Sequence, residues 1–349
     1  MQSTALIGWF ADLTLADRPT VGGKGGSLGE LTRAGIAVPG GFVVRTAAFD
    51  AFIGELEQQA PLRTRVEALA PDDLQGITAL SAQLVARVTG APLPGSLREA
   101  LREAQGALLG SETCSPVAVR SSATTEDAED ASFAGLQDTY LWVMGADEVE
   151  RQVRACWASL YSVPSIAYRR RKGLPEAGVA MAVVVQRMVD ARCAGVMFTR
   201  SPTTGDRSVI VIESAWGLGS AVVSGEVTPD RFVVGKITGE ISVREIRDKH
   251  VRHVPQANGG TVEQETPGEL REAPSLSDPE LMQLREVARR IEKHYGRPQD
   301  IEWAFDQAQG LRILQSRPET VWSTKEAAPV AVAKDNPLQH VMNVFGGRR

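Results

Sequence analysis

An arginine followed by hydroxyl and acidic side chains marks one stretch of this sequence as suited to chemistry. Arg120 follows the apolar residues 117–119, which favour a short strand, and residues 121–125 are Ser-Ser-Ala-Thr-Thr. Four acidic residues lie within 126–130, and a turn of mostly small residues occupies 132–135. A guanidinium offers a fork of donors that fits phosphate oxygens, and small residues let backbone N–H groups approach an anion. The stretch indicates a polyphosphate site, with an exposed, solvated loop as the simpler interpretation.

The glycine-rich segment 22–29, which carries Lys24, is a second candidate anion site. Its pattern predicts a loop and then a helix from about Ser27 to Ala34, with Gly35 after the helix. Unpaired N–H groups at that helix N-terminus favour an anion above the loop. The spacing matches neither a P-loop, which needs Ser or Thr after the lysine, nor a dinucleotide fingerprint. A glycine turn with a solvated lysine is the alternative.

The alternation of residues near position 300 predicts a β-hairpin. Acidic and apolar residues alternate over 300–306, four residues form a turn, and the chain returns over 311–317. In the register that this loop favours, Asp306 faces Leu311. The apolar side chains of the first strand then face the core.

The opposite face of that hairpin predicts a metal site. In the same register Glu302 lies opposite Gln315, and Asp300 lies opposite Arg317, all on one face because strand side chains alternate. A carboxylate beside an amide oxygen is a pair of hard oxygen ligands that suits Mg²⁺. Two ordinary cross-strand polar pairs on a solvated face are the alternative.

The elements that must position these residues indicate a mixed α and β protein. Their patterns predict helices over about 47–109, 147–168 and 279–295, and strands over 117–119, 179–189, 195–199, 208–213 and 232–234. Short strands separated by glycine turns favour a mostly antiparallel sheet, so the fold class is α+β (mixed α/β). The polar span from about 255 to 279 predicts a surface loop or flap.

The composition excludes several classes of protein. The chain has 349 residues, 43% of them hydrophobic, and a net charge of −5 with acids and bases interspersed, so we expect no nucleic-acid partner. No apolar run approaches the roughly 20 residues of a membrane helix, and the N-terminus does not resemble a signal peptide. The cysteines, Cys114, Cys156 and Cys193, are odd in number and scattered, which fits a reduced compartment. We therefore expect a soluble, cytoplasmic protein without a membrane partner.

Six motifs follow one another along the chain. They are Gly22-Gly-Lys-Gly-Gly-Ser-Leu-Gly29, Val119-Arg-Ser-Ser122, Phe133-Ala-Gly-Leu-Gln-Asp-Thr139, Gly195-Val-Met-Phe-Thr199, Asp300-Ile-Glu-Trp303 and Gln315-Ser-Arg-Pro318. In this order they resemble the N-terminal ATP-grasp domain of the family of phosphoenolpyruvate synthase, pyruvate phosphate dikinase and rifampicin phosphotransferase. The resemblance covers roughly residues 5–322, and the combination of motifs is far more specific than any one of them.

The resemblance implies a two-lobed ATP-grasp fold with the nucleotide in the cleft between the lobes. Residues 1–190 would form the first lobe, with a helical insert over 47–109. Residues 191–322 would form the second lobe, with the metal-binding hairpin 300–317. Residues 323–349 would form a tail that offers a partner contact.

The resemblance also implies ATP and Mg²⁺ as cofactors and assigns residues to them. Lys24, Arg120 and Arg317 would bind the ATP phosphates and act in catalysis. Gly135 and Thr139 would lie in a mobile loop above the phosphates, and Gln186 would lie near the adenine. Glu302 and Gln315 would bind Mg²⁺.

Members of the family cleave ATP to AMP and phosphate and pass the β-phosphoryl group to a histidine on a swivelling domain. None of the histidines here, His250, His253, His294 and His340, lies in the family's Gly-Gly-x-x-Ser-His-Ala-Ala context. We therefore expect the phosphocarrier histidine and the acceptor site on a partner subunit. This resembles phenylphosphate synthase and alkylphenol (cresol) phosphotransferase, which would make a phenol or alkylphenol the small-molecule acceptor.

Three alternatives stay open. The sequence is also compatible with a fragment of a full-length phosphoenolpyruvate synthase or rifampicin phosphotransferase. A non-catalytic nucleotide sensor is less favoured because a pure sensor need not keep metal ligands. An ATP-grasp ligase that forms acyl phosphates would need an acceptor signature that the sequence does not display.

Overall fold

The structure, a computed structural model, describes residues 6–112, 115–124, 138–306, 310–320 and 322. Thirteen strands and ten α-helices lie within these ranges, and the strands that pair do so antiparallel. The predicted mixed α/β class with antiparallel strands is confirmed. The predictions for Cys114, Gly135, His340 and the tail 323–349 lie outside the described residues.

The first half of the chain forms a five-stranded sheet and a layer of helices. Its elements are β1 (Ile7–Trp9), α1 (Arg18–Arg33), β2 (Gly41–Val44), α2 (Thr46–Gln59), α3 (Arg63–Glu67), α4 (Leu74–Gly90), α5 (Gly95–Leu109), β3 (Val117–Ala123), β4 (Thr139–Val143), α6 (Ala146–Ala158), α7 (Val163–Lys172) and β5 (Met181–Arg187). The strand order is β1-β2-β5-β3-β4.

The second half forms a six-stranded sheet and a separate two-stranded hairpin. Its elements are β6 (Ala191–Phe198), β7 (Val209–Trp216), α8 (Ser220–Val223), β8 (Asp230–Gly235), β9 (Ile241–Glu245), β10 (Val251–Pro255), β11 (Thr261–Glu265), α9 (Gly268–Arg271), α10 (Asp278–Tyr295), β12 (Gln299–Asp306) and β13 (Gly310–Pro318). The strand order is β13-β12-β6-β7-β8-β9, and β10 pairs with β11.

Strand β5 is apolar along most of its length because both faces of the first sheet are covered. Val183 and Val185 belong to the same core cluster as Trp157 of α6, whereas Val184 points to the other face and packs in a cluster with Leu28 of α1. Strands buried on both faces lose the apolar–polar alternation of a half-exposed strand. The first sheet therefore lies between the helical layer and α1.

Helix α10 covers one face of the second sheet. Its side chains at helical spacing, such as Leu284 and Ile291, are fully buried in one cluster with Met197 and Trp303. The helix begins with a capping box and ends before Gly296, which has a φ of 68°. Both signals are readable in the sequence, and the predicted helix over 279–295 agrees with Asp278–Tyr295.

Two predicted elements are wrong in detail. The span 255–279 contains β11 and α9 instead of only a loop, because the exposed β10–β11 hairpin is built on backbone pairing and has little apolar alternation to reveal it. The predicted helix over 147–168 is interrupted after Ala158, where a 3₁₀ turn precedes α7. Pro164 lies in the first turn of α7, where the absent proline N–H costs little.

No helix in the described part of the chain has the length and apolar character to cross a membrane.

Candidate functional site

One face of the first sheet brings together three of the predicted site residues. Arg120 of β3 pairs with Thr139 of β4, and Ala118 pairs with Gln186 of β5. Residues paired across strands point to the same face, as do residues two apart on one strand, so Arg120, Thr139 and Gln186 share a face. Thr139 begins β4, so its expected place within a mobile loop is wrong.

The β12–β13 hairpin supplies the facing residues. Asp300 pairs with Arg317 and Glu302 pairs with Gln315, which is the predicted register. Beyond Glu302 the register shifts by one residue, so that Asp306 pairs with Gly310 and not with Leu311. The shift is a β-bulge at position 314, where two residues of one strand oppose one of the other. The register prediction is therefore right at the site and wrong at the turn.

Arg120 joins the two sheets. Its Nη2 donates to Glu302 Oε2 at 2.9 Å and to Gln315 Oε1 at 2.5 Å, and its Nη1 donates to the carbonyl oxygen of Leu314 at 3.0 Å. Arg120 is only 7% exposed, and its buried Nε has no hydrogen-bond partner among the described residues. A buried guanidinium with one donor unsatisfied has capacity for a further acceptor.

A cavity of about 350 Å³ lies between the two sheets at this junction. We call it the inter-sheet cavity. Its polar side chains include Arg120, Thr139, Gln186 and Glu302, and its apolar side chains include Leu141, Met188, Val189, Leu218 and Trp303. Apolar walls with a few convergent polar groups are typical of small-molecule sites, and a flat heterocycle with an anionic tail matches this combination.

The glycine-rich segment is helical and not a loop, which corrects the prediction. Helix α1 is broken only at Gly22, where φ is 72° and ψ is 177°. A Cβ at Gly22 would lie 2.2 Å from the carbonyl oxygen of Ser122, so this close approach to β3 needs glycine. Beyond the break, Ser122 Oγ accepts from the N–H of Gly25 at 3.2 Å and donates to the carbonyl oxygen of Val21 at 2.9 Å.

Lys24 is buried in the first turn after this break. One turn later, Ser27 Oγ donates to the carbonyl oxygen of Ser316 at 2.6 Å, between Gln315 and Arg317 on β13. Helix α1 therefore contacts β3 through Ser122 and β13 through Ser316. Three predicted site residues do not line the inter-sheet cavity in the described part of the chain: Lys24, Gln315 and Arg317. Gln315 is connected to the cavity only indirectly, because its Oε1 accepts a hydrogen bond from Arg120, which lines the cavity.

Hard oxygen donors on the hairpin fit Mg²⁺. Glu302 and Gln315 each direct a side-chain oxygen to the same point, now taken by Arg120. On the same face, Asp300 Oδ1 is buried and has no hydrogen-bond partner in the described part of the chain. Burial raises the pKa of Asp300 to about 6, although Arg317, whose Nε lies 3.4 Å from Asp300 Oδ2, opposes this shift. Two carboxylates and an amide oxygen form a donor set suited to this cation.

A serine, a histidine and a glutamate beside the cavity were not found from the sequence. Ser220 lines the inter-sheet cavity, and its Oγ lies 2.7 Å from His253 Nδ1. His253 Nε2 lies 2.6 Å from Glu226 Oε2. The contact joins the segment after β7 to the β10–β11 hairpin, and neither periodicity nor motif spacing signals such a tertiary pairing. The same holds for the carbonyl oxygen of Leu314.

Residues 18–337 match the model of the family described as pyruvate phosphate dikinase, AMP/ATP-binding domain. A probable phosphoenolpyruvate synthase of Methanothermobacter thermautotrophicus is 44% identical over 317 residues, which is 90% of this chain and 46% of the relative. A rifampicin phosphotransferase of a Streptomyces species is 44% identical over 321 residues, which is 91% of this chain and 36% of the relative. The chain belongs to the pyruvate phosphate dikinase AMP/ATP-binding domain family.

The chain spans less than half the length of these relatives. Among solved structures, that of the D-cycloserine synthetase DcsG aligns with 69% of this chain and 61% of its own, at 13% identity and a TM-score of 0.24.

Proposed function

We propose that this chain is the ATP-binding component of a dikinase-type phosphotransferase with an ATP-grasp arrangement of its two lobes. In the proposed reaction, ATP, water and an acceptor give AMP, inorganic phosphate and the phosphorylated acceptor. The β-phosphoryl group passes first to a histidine nitrogen on a partner subunit and from there to the acceptor. The γ-phosphate leaves as inorganic phosphate after water has supplied its oxygen. The proposed acceptor is a phenol or alkylphenol bound by the partner.

The observation that carries this proposal is the position of Arg120. It lies on the wall of the inter-sheet cavity and contacts both Glu302 and Gln315, so a guanidinium suited to phosphate oxygens and two hard oxygen donors meet at one point. Phosphoryl transfer needs chiefly positioning and electrostatic stabilisation, which is what these groups can provide. The apolar wall beside Gln186 offers a place for the adenine.

Six residues of the candidate site have separate roles in the proposal. Lys24, Arg120 and Arg317 would bind and orient the phosphates, and Thr139 would donate a hydrogen bond from the facing strand. Glu302 and Gln315 would hold Mg²⁺, which, when bound, offsets the negative charge of the phosphate oxygens.

The experiment is an analysis of nucleotide products by chromatography. The purified chain is incubated with ATP and Mg²⁺, alone and with the histidine-bearing partner subunit. Phenols, pyruvate or rifampicin are supplied as acceptor. We expect AMP and phosphate only when the partner is present. ADP as the product, or AMP formed without any partner, would show that the proposed transfer is wrong.

A matched pair of variants tests the metal ligand in the same assay. Glu302→Gln keeps the shape of the side chain and removes its charge, so we expect AMP formation to fall by about a hundredfold or more. Glu286→Gln removes an exposed carboxylate of α10 and should leave the rate unchanged. Equal rates for the two variants would contradict the role of Glu302.

The similarity to the two relatives favours a second candidate. The chain could serve as the nucleotide-binding part of a phosphoenolpyruvate synthase or a rifampicin phosphotransferase, with pyruvate or rifampicin as acceptor. The acceptor panel distinguishes this candidate from the phenol phosphotransferase, because only the true acceptor should become phosphorylated.

A further inference from the structure

Arg120 occupies the oxygens that are assigned to the metal. Its Nη2 contacts Glu302 Oε2 and Gln315 Oε1 at once, at 2.9 and 2.5 Å. A divalent cation bound to the same two atoms would lie only a few ångströms from the guanidinium, and like charges repel strongly in a buried, weakly screened site. The two cations therefore compete for one pair of ligands.

The Arg120 guanidinium also has a donor available for an anion. Its Nε is buried and has no hydrogen-bond partner in the described ranges, so its present contacts do not satisfy the whole group. Its side chain lies on the wall of the inter-sheet cavity. The phosphates of a nucleotide would offer several acceptor oxygens in a geometry that matches the guanidinium fork.

We propose that Arg120 excludes free divalent cations from Glu302 and Gln315 until a nucleotide is bound. The phosphates draw the guanidinium away from the two oxygens, and the metal then enters with the nucleotide or after it. Nucleotide and metal consequently strengthen each other's binding, since coupling between two sites is reciprocal. This inference rests on the proposed function, because it takes the cavity as the nucleotide site and the hairpin as the metal site.

The test measures Mn²⁺ binding by the electron paramagnetic resonance signal of the free ion. Wild type and Arg120→Ala are titrated without nucleotide, and wild type is titrated again with a non-hydrolysable ATP analogue, after subtraction of the Mn²⁺ that the same concentration of analogue binds without protein. We expect Arg120→Ala alone, and wild type with the analogue, to bind Mn²⁺ at least tenfold more tightly than wild type alone. Arg120→Gln serves as a second variant if Arg120→Ala does not fold.

Two controls separate this effect from a simple loss of positive charge. Arg187 also lines the cavity, but its guanidinium bonds to the Leu108 carbonyl oxygen and to Glu112. Arg187→Ala should therefore bind Mn²⁺ as weakly as wild type does. Adding Glu302→Ala to Arg120→Ala should abolish the gain.

The failure of this inference and the failure of the proposed function give different results. If wild type without nucleotide binds Mn²⁺ as tightly as Arg120→Ala does, exclusion by Arg120 is overturned and the metal site stands. If no protein binds Mn²⁺ at this site even with the analogue, the metal assignment is wrong and this inference falls with it.

Discussion

Asp300 is the carboxyl group of the candidate site whose ionisation is most clearly disfavoured by folding. Burial raises its pKa to about 6 from an ordinary value of 3.8, against the opposing charge of Arg317. Because the folded state prefers the protonated form, the resulting stabilisation is present below about pH 4. It is lost as the pH rises through about 6.

The variant Asp300→Asn should remove this pH dependence, because an amide does not titrate. Near pH 4 its free energy of unfolding should be close to that of wild type, and by pH 7.5 it should exceed wild type by on the order of 1–3 kcal/mol. Urea unfolding at several pH values, without nucleotide or divalent cations, measures the difference. A difference that stays constant between pH 4 and 7.5 would mean that Asp300 is not the buried carboxyl described above.

Residue pairs that depend on strand alternation could be predicted, and those that depend on irregular backbone could not. The pairs Asp300–Arg317 and Glu302–Gln315 follow from the period of two and the position of the turn. The bulge at Leu314 has no such signal, because the sequence pattern is compatible with a regular hairpin. It nevertheless places the carbonyl oxygen that accepts from Arg120.

At the scale of elements, the break in α1 decides where β3 and the helix meet. Gly22→Ala would place a methyl group 2.2 Å from the Ser122 carbonyl oxygen at a φ of 72°. We expect a loss of about 1–3 kcal/mol in the free energy of unfolding because of this clash. We also expect weaker ATP binding, because the displaced residue, Ser122, lies two residues from Arg120 on β3. Denaturant titration and calorimetry measure the two effects.

Gly54 provides the matched control for Gly22. It lies within α2, and a Cβ there meets no atom within 4 Å. Gly54→Ala should therefore stabilise the protein by roughly 0.5–1 kcal/mol through helix propensity, without effect on ATP. If both substitutions changed stability equally, the close contact at Gly22 would not matter.

A buried ion pair fixes the segment between β9 and β10 to the second sheet. Lys249 and Asp230 are both fully buried with Nζ 2.7 Å from Oδ1, and Asp230 Oδ2 also accepts from the N–H and hydroxyl of Ser275. Removing one member leaves a buried charge without its partner, which costs far more than the pair contributes. Such a pairing of distant residues was not signalled by the sequence.

Lys249→Met should lower the free energy of unfolding by about 3–5 kcal/mol because Asp230 would stay buried and uncompensated. Arg271→Met removes an exposed partner of Asp248 and should leave the unfolding midpoint nearly unchanged. Thermal denaturation of both variants gives the comparison. Similar losses in the two variants would show that burial of the Lys249 pair has no special weight.

At the scale of the whole molecule, local patterns indicated most helices and strands but not how the strands divide between sheets. The chain leaves the first sheet at Arg187 and enters the second at Ala191, a short link that the apolar pattern does not distinguish from a turn within one sheet. Strands distant in sequence, such as β12 and β6, pair through contacts that only the folded chain defines. The order of strands therefore needed the structure.

Since the inter-sheet cavity has residues of both sheets in its wall, a bound nucleotide should stabilise both sheets together. At a hundredfold excess over Kd, ligand binding adds about 2.7 kcal/mol, so the most protected amides should exchange up to roughly a hundredfold more slowly. Hydrogen exchange with a non-hydrolysable ATP analogue and Mg²⁺ should show this slowing in β3 and β5 and equally in β6 and β12. The edge strand β9 is an internal control, because we expect an edge strand to exchange through local opening that the ligand does not oppose. Slower exchange in only one sheet would place the nucleotide outside the inter-sheet cavity.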